Sequence, residues 1–285
     1  MQPLVSVVLP TYNRGHTLRR AALSVLTQSY TNIELLIVDD GSSDDTSAVI
    51  DSLQDPRLRA FRFEKNKGAN AARNLGVREA RGVFVAFHDS DDEWFTHKLK
   101  RQVEACRISG SFACFCRLSR DELAKGLFVP KSSYRVRPGQ TNHARTLLYG
   151  SYISNQTLLL HRNCFANETF DESLGRLQDW DLCIRLSAHY DFYYLAEVLV
   201  RAYTGSDRIT AGTQSYLHAL NQICAKNEAG YRANPSALAA VALNASALAL
   251  RTGGFRDTFR MLRIAAGTGP TAMAQAILIL MRRAR

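Results

Sequence analysis

The sequence predicts an α/β protein built on a mostly parallel sheet with helices on both faces. Through residues 1–118, short apolar runs alternate with segments of helical periodicity, and the links between them are short. Several of the apolar runs end in aromatic or acidic residues. Because ligands of such sheets bind beyond the carboxyl ends of the strands, we expect the functional site at these ends.

Four strands and three helices are predicted in residues 1–87. The strands are the apolar runs at residues 5–9, 33–38, 58–63 and 83–87. The first helix follows Pro10 and the turn TYNRG, and its apolar positions have helical spacing: Leu18, Ala21, Ala22, Val25 and Leu26. Ser43 or Asp44 caps a second helix, and residues 69–80 form a third.

Later segments are less regular. Helices are predicted at residues 98–108 and 181–189, and strands at 112–118, 154–161 and 193–203, whereas residues 119–150 should be irregular. From about residue 215 the composition turns to alanine and leucine with helical periodicity, including a helical hairpin at 237–266 around Gly253 and Gly254. We expect one α/β domain at residues 1–210, with a nucleotide half at about 1–118 and an acceptor half at about 119–210, followed by a helical region at 211–285.

The charge of the chain indicates an anionic partner. Its net charge is +10, of which +6 comes from residues 251–285, where seven arginines accompany one acid, Asp257. A nucleotide, a nucleic acid or an acidic membrane would fit. We expect no nucleic acid, because the excess lies in the tail and no platform of aromatic and basic residues accompanies it.

Cysteine spacing and apolar runs predict a protein of the reducing cytoplasm. The six cysteines show no C-x-x-C pair, and the N-terminus lacks the features of a secretory signal. The longest apolar run near the end, residues 276–281, is far below the ~20 residues of a spanning helix.

The stretch FHDSDDEW at residues 87–94 carries four carboxylates after a predicted strand. Like charges this close resist ionisation, so the acids either lie in water or surround a cation. Asp89 and Asp91 could hold Mg²⁺ or Mn²⁺, hard ions that complete their shell with substrate phosphates. We expect Asp92 and Glu93 to be solvated or to cap the next helix, and His88 not to be a ligand.

The motifs of two common nucleotide-binding sites are absent from the sequence. A dinucleotide site needs G-x-G-x-x-G there, but PTYNRG follows, and no P-loop sequence occurs. Tyr12 could instead stack on a base, and Asp40 could accept a hydrogen bond from a ring N–H. Alternatively, Asp39 and Asp40 only end a strand and fasten a turn.

Five segments, in order, resemble family 2 glycosyltransferases with the GT-A fold. They are VSVVLPTYNR, SVLTQSYTNIELLIVDDGSSDDT, NKGANAARNLG, FHDSDDEW and FDESLGRLQDWDLCIRLS, spread over residues 4–205. The resemblance implies metal-dependent transfer of a sugar, with inversion, from a nucleotide diphosphate donor. UDP is favoured because uridine is the family's commonest base. The acceptor would be a glycan or lipid-linked hydroxyl in bacterial surface polysaccharide or glycolipid synthesis.

The resemblance also assigns roles to residues. Pro10 and Tyr12 would line the base pocket, and Asp40 would contact the base. Asp89 and Asp91 would form the D-x-D motif, with Asp91 the direct metal ligand, and Asp179 would be the general base. The position of Arg73 on the third predicted helix, and not the resemblance, indicates that it faces the phosphates or forms a structural ion pair. The chain departs from the family at Gln178, where Glu is more frequent, at His88, and near Thr96, where a proline is usual.

Alternatives to this interpretation remain. A sugar-phosphate nucleotidyltransferase would need a Gly-rich phosphate loop, and a non-catalytic sugar-binding module would have lost the base or the D-x-D motif. The arginine-rich tail either lies on an anionic membrane, at the inner face of the cell membrane, or packs on the catalytic domain.

Overall fold

A computed structural model describes residues 2–122, 126–128, 136–204 and 212–284 of the chain. Its strands lie in one sheet in the order β3-β2-β1-β4-β8-β6-β9-β5, with β7 paired to β6. The strands are β1 Val5–Thr11, β2 Ile33–Asp39, β3 Leu58–Arg62, β4 Phe84–Phe87, β5 Glu93–Trp94, β6 Ala113–Glu122, β7 Gly126–Phe128, β8 Leu158–His161 and β9 Phe192–Thr204.

The predicted helices are present, and α5, Ala144–Leu147, is an additional short helix within residues 119–150, where an irregular segment was expected. The helices of the first 204 residues are α1 Gly15–Leu26, α2 Thr46–Asp51, α3 Ala69–Glu79, α4 Lys98–Ser109, α5 Ala144–Leu147 and α6 Gln178–Ser187. The remaining helices are α7 Thr213–Lys226, α8 Glu228–Ala233, α9 Pro235–Arg251, α10 Phe255–Gly267 and α11 Pro270–Ala284.

The part of the sheet formed by β1, β2, β3 and β4 is parallel, in agreement with the predicted mostly parallel sheet. β1 pairs in parallel with β2 and β4, and β2 pairs in parallel with β3. Beyond β4 the sheet is mixed, because β8 runs antiparallel to both β4 and β6, while β9 is parallel to β6. The carboxyl ends of β1, β2 and β4 therefore meet at one edge.

Three boundaries differ from the sequence prediction. β6 continues to Glu122 and turns into β7, where an irregular segment was expected, because its polar residues pair along β9. The strand expected at 154–161 begins only at Leu158, after a short 3₁₀ turn. α6 begins at Gln178 rather than at residue 181, so that Asp179 lies in its first turn. Part of the segment expected to be irregular, residues 123–125 and 129–135, lies outside the described residues.

Two hydrophobic clusters cover the two faces of the sheet. One joins the sheet to α1 and α4 through side chains such as Leu18 and Leu99. The other runs from Phe87 and Trp180 into the helical C-terminal region, through Leu220 and Ala240. The predicted boundary near residue 210 stays a prediction, and apolar packing is continuous across it.

The predicted helical hairpin is confirmed as α9 and α10, joined at Gly253, whose φ of 77° lies in the left-handed region. α10 and α11 both pack on α9. Within the described residues, every individual helix is too short or too polar to cross a bilayer, whereas α10 and α11 would qualify together but are bent by 117° at their junction.

Candidate active site

The three adjacent parallel strands bring the sequence-predicted residues to one edge. Pro10 is a buried residue of β1 in register with Val38, and Tyr12 follows the strand with 43% of its surface exposed. Asp40 follows β2, and the acidic loop 88–92 follows β4. An exposed ring near the end of β1 could stack on a base.

Asp40 is a buried carboxylate that fastens a loop. Its Oδ1 accepts a hydrogen bond from the backbone N–H of Lys67 at 2.7 Å, and its Oδ2 accepts one from Gly68 at 2.8 Å. Asp39 makes contacts of the same kind. It accepts a hydrogen bond from the N–H of Ser42 and forms an ion pair with Arg62. These contacts agree with the turn-fastening alternative, and a base contact by Asp40 would have to share or replace them.

The turns after β1 and β2 are bound to each other. The N–H of Asn13 donates to Oγ of Ser42, and the N–H of Ser43 donates to Oδ1 of Asn13. Asp44 accepts from the N–H groups of Gly15 and Thr46, the first residues of α1 and α2. The polar run GSSDDT thus shapes the rim of the site, a role that sequence reasoning had reduced to helix capping.

Three arginines surround the acidic loop. Nη2 of Arg73 is 3.0 Å from Oδ1 of Asp89, Nη2 of Arg14 is 3.9 Å from Oδ2 of Asp91, and Arg20 donates to the carbonyl oxygen of Asp91 at 2.6 Å. Arg14 and Arg20 were missed, because an arginine in a turn or on a helix carries no signal of its target in the sequence. The ion pair foreseen as one alternative for Arg73 is present.

Asp92 differs from the expectation of a solvated or helix-capping residue. It is buried, and its Oδ1 accepts a hydrogen bond from the N–H of Tyr203 in β9 at 3.1 Å. Burial, with the neighbouring charges of Asp89 and Asp91, raises the pKa of Asp92 to about 8. Asp92 therefore anchors the loop to β9. Glu93 also bonds to β9, accepting from the hydroxyl of Tyr203 at 2.8 Å.

The carboxylate oxygens of the acidic loop suit a divalent metal ion that also binds a substrate. Asp89 and Asp91 keep 30% and 43% of their side-chain surfaces exposed, so their oxygens can be reached. Burial and then the charge of Asp89 raise the pKa of Asp91, as expected where acids crowd without a cation. No group of three or more His, Cys, Asp or Glu in the described part of the chain forms a closed cage. Two carboxylates leave the other positions to phosphate and water, as Mg²⁺ and Mn²⁺ allow.

Asp179 occupies the first turn of α6 beside this loop. Its Oδ1 accepts from the N–H of Trp180 at 2.8 Å. Burial raises the pKa of Asp179 to about 6, and the charge of Arg73 lowers it while that of Asp89 raises it again. Because the charges of Arg73 and Asp89 both act on its pKa, Asp179 lies within electrostatic range of these two residues. A carboxylate with a pKa near 6 is suited to accept a proton at neutral pH.

Polar residues of α3 hold the segment that leads to Asp179. Nδ2 of Asn70 donates to the carbonyl oxygens of Asp171 and Leu174, both at 2.8 Å. Asn74 binds Phe170 in both directions, through its Nδ2 and its Oδ1. The segment NKGANAARNLG thereby joins α3 to residues 170–174, which precede α6. The sequence signal for these contacts is the presence of two asparagines, Asn70 and Asn74, on a buried face of the helix.

Trp180 and Asp181 fix α6 in the core. Trp180 is a buried core residue, and its Nε1 donates to the carbonyl oxygen of Leu147 at 2.7 Å. Asp181 is fully buried and pairs with Arg185 at 2.8 Å.

His88 is buried against Trp94, with Nε2 at 3.2 Å from Oγ of Ser24, and burial lowers its pKa to about 3. It thus acts as a neutral packing residue.

Comparison with known sequences gives consistent matches. The sequence model described as Glycosyl transferase family 2 matches residues 6–158. The Escherichia coli UDP-Glc:alpha-D-GlcNAc-diphosphoundecaprenol beta-1,3-glucosyltransferase WfaP is 34% identical over 169 residues, which are 59% of this chain and 64% of that protein. The Bacillus subtilis putative teichuronic acid biosynthesis glycosyltransferase TuaG is 42% identical over 140 residues, covering 46% and 55%. In both cases the match spans less than two thirds of the relative's length.

Comparison with solved structures identifies the fold. S. aureus TarS 1–349 in complex with UDP-GlcNAc has a TM-score of 0.66 at 18% identity, covering 91% of this chain and 90% of that one. Pyrobaculum calidifontis mannosyltransferase PcManGT, in complex with GDP-Man and Mn²⁺, has a TM-score of 0.65 at 16% identity, covering 100% and 86%. The chain has the same GT-A fold, as predicted.

Proposed function

The chain belongs to glycosyl transferase family 2, whose model covers more than half of its 285 residues, and we propose that it transfers a sugar from a nucleotide diphosphate donor to an acceptor hydroxyl with inversion. The proposal rests on one arrangement: α3 pairs with Asp89 of the acidic loop through Arg73 and holds the segment before α6 through Asn70. Asp179 in the first turn of α6, with its raised pKa, thereby lies within electrostatic range of Asp89. A proton acceptor and a site for a diphosphate are the two parts that such a transfer needs.

In the proposed reaction, Asp179 accepts the proton of the acceptor hydroxyl as its oxygen attacks the anomeric carbon. The bond from that carbon to the donor phosphate oxygen breaks on the opposite face, and the nucleoside diphosphate leaves with the electron pair. Asp91 and Asp89 would hold a Mg²⁺ or Mn²⁺ ion, which supplies positive charge to the diphosphate when bound. Arg73 and Arg14 add positive charge beside the same carboxylates.

The donor and the acceptor are proposed from the relatives. The name of WfaP specifies UDP-glucose and a diphosphoundecaprenol-linked acceptor, and the TarS crystals contain UDP-GlcNAc. PcManGT was solved in complex with GDP-Man, so the fold also accommodates guanosine. We favour UDP as the donor nucleotide and a lipid-linked glycan hydroxyl as the acceptor. A cytoplasmic location, at the inner face of the cell membrane, belongs to the same proposal.

The proposal is tested with a panel of UDP- and GDP-sugars. Thermal shift with Mn²⁺ identifies the donor, because a ligand that binds only the folded state raises its stability. The selected donor is then incubated with short-chain lipid-diphosphate sugars. We expect nucleoside diphosphate release, a glycosylated product with inverted anomeric configuration, and loss of both in Asp179→Asn.

Other results would point elsewhere. Pyrophosphate release from a nucleoside triphosphate and a sugar phosphate would identify a nucleotidyltransferase. Donor binding without turnover over the whole acceptor panel would identify a binding module. A retained anomeric configuration would contradict the role of Asp179 as the base for direct displacement.

A further inference from the structure

α10 carries an apolar face that no described part of the chain covers. Phe255, Phe259 and Leu262 are 64%, 71% and 39% exposed. At 3.6 residues per turn these side chains fall within about 60° of one another around the helix. The face that packs inward is a different one, formed by Thr258, Met261 and Ala265. Three large apolar side chains on one stripe of a helix need a partner other than water.

Arginines line one side of this stripe. Arg256, Arg260 and Arg263 are exposed and lie within about 60° of one another, next to the apolar stripe and away from the buried face. None of their guanidinium groups has an ion-pair partner among the described residues. The one acid of α10, Asp257, accepts a hydrogen bond from Nε2 of Gln214 at 2.6 Å.

We propose that this outward surface of α10, formed by Phe255, Phe259, Leu262, Arg256, Arg260 and Arg263, docks on an anionic lipid bilayer. A helix lying in a membrane interface has the same three sectors: apolar residues at the acyl chains, cations at the headgroups, and a face kept by the protein. The arginines indicate which partner binds this surface. Guanidinium groups beside aromatic rings match anionic headgroups better than they match a neutral apolar protein surface.

α11 extends the same chemistry. Ile277, Leu278 and Met281 are 45%, 48% and 56% exposed, and α11 packs beside α10 on α9. The sequence alone pointed to the arginine-rich tail as a whole, whereas the structure points to α10 within it, where rings and arginines lie together. Docking there goes beyond sugar transfer and would hold the enzyme on the surface that carries a lipid-linked acceptor.

The test is co-sedimentation with vesicles of equal phosphatidylglycerol and phosphatidylcholine, against vesicles of phosphatidylcholine alone. We expect the full chain to bind the anionic vesicles at low salt and to release them at high salt, because exposed charges are screened. In Phe255→Ser with Phe259→Ser, and separately in Arg256→Gln with Arg260→Gln and Arg263→Gln, binding should weaken roughly 10- to 100-fold.

Matched controls make the same chemical changes elsewhere. Ile108→Ser removes an apolar side chain that is 71% exposed at the end of α4. Arg78→Gln with Arg81→Gln and Lys100→Gln removes three exposed cations from the α/β domain. Both controls should bind vesicles like the unmodified chain.

A fluorescence measurement covers the case in which a multiple variant does not fold. The two tryptophans of the chain, Trp94 and Trp180, are 3% and 2% exposed, so a new indole on α10 reports separately. Emission of Phe259→Trp should shift to shorter wavelength on anionic vesicles, whereas that of Ile108→Trp should not.

Three results would overturn the proposal. They are a full chain that ignores anionic vesicles, variants that bind like the unmodified chain, and a dimer that dissociates in Phe255→Ser with Phe259→Ser without vesicle binding. The last would identify an interface between two copies. Because vesicle binding is measured without turnover, a failed transfer assay leaves this test intact.

Discussion

Nη2 of Arg73 lies 3.0 Å from Oδ1 of Asp89, so a buried arginine of α3 occupies an oxygen that a metal ion would also use. The arginine compensates the crowded acids of the loop in the absence of a cation. In the presence of a metal it would compete for Asp89 and remain available to the donor phosphates.

Arg73→Gln should therefore affect metal and donor in opposite directions. Without the guanidinium, Mn²⁺ binds more tightly, on the order of tenfold, because repulsion between the two cationic groups is lost. The donor binds more weakly, because one positive group near its phosphates is gone. Electron paramagnetic resonance of free Mn²⁺ and calorimetry of donor binding measure the two effects.

Arg78→Gln is the control for this experiment, since it removes an exposed arginine from the same helix and should change neither affinity. An unchanged Mn²⁺ affinity in Arg73→Gln would show that the arginine and the metal do not share Asp89.

Asp91→Asn should abolish both Mn²⁺ binding and transfer while the fold stays intact. The side chain is 43% exposed on a loop, so little packing depends on it, but an amide is a poor ligand for a hard divalent ion. Mn²⁺ titration, donor turnover and the thermal midpoint are compared with Asp51→Asn, which changes an exposed carboxylate at the end of α2. Wild-type turnover of Asp91→Asn in excess chelator would contradict the metal-dependent mechanism.

Much of the fold and the position of the site could be predicted, because these depend on local patterns. The strands containing Val7 and Leu36 are mostly apolar runs, and strands of this kind are buried on both faces. Tyr12, Asp40, Asp89 and Asp91 were placed at one edge because parallel strands end there together.

The rest depends on contacts between distant segments, which a single sequence does not encode locally. Asp92 was taken for a solvent-exposed acid, but it binds the N–H of Tyr203, which is 111 residues away. Likewise, β5 consists of two residues and exists only through its pairing with β9. The antiparallel orientation of β8, in a sheet whose first four strands are parallel, depends on its pairing with β4 and β6, which its own apolar residues do not encode.

Gly76→Ala should destabilise the fold, because α3 lies directly against β1 at this position. A Cβ at Gly76 would lie 2.3 Å from Cγ1 of Val8, a buried core residue. Overpacking of this kind lowers the free energy of unfolding by about 1–3 kcal/mol. Chemical denaturation measures the effect, and Val8→Ala in the same chain should relieve part of it.

The control is Gly267→Ala, since a Cβ there meets no atom within 4 Å and the residue closes α10. It should leave stability unchanged or slightly raised. Strictly additive effects of Gly76→Ala and Val8→Ala would show that α3 can move away from β1, together with Arg73.

Asp179→Asn should lower the transfer rate by roughly 10² to 10⁴ without weakening donor binding. The carboxylate must be ionised to accept a proton, and its pKa is raised to about 6 by burial. For the unmodified chain kcat/KM should therefore rise with pH and level off above about 6. A bound cation would lower the pKa of Asp179 and so move this rising limb of the pH profile to lower pH. In Asp179→Asn the limb should disappear, whereas Asp51→Asn should retain it.

The same substitution should make the folded protein more stable at neutral pH. The carboxyl group of Asp179 has an ordinary pKa of 3.8 and a folded pKa of about 6, so between these values the folded chain binds more protons than the unfolded chain. The free energy of unfolding therefore falls as pH rises through this window, and the loss persists above it. An asparagine cannot ionise, so Asp179→Asn should gain on the order of 1–3 kcal/mol above pH ~6.5 and little near pH ~4, measured by denaturation in chelator. A residue that lowers stability and raises the rate is one placed for chemistry, whereas equal stability of the two proteins at both pH values would mean that Asp179 titrates as it does in water.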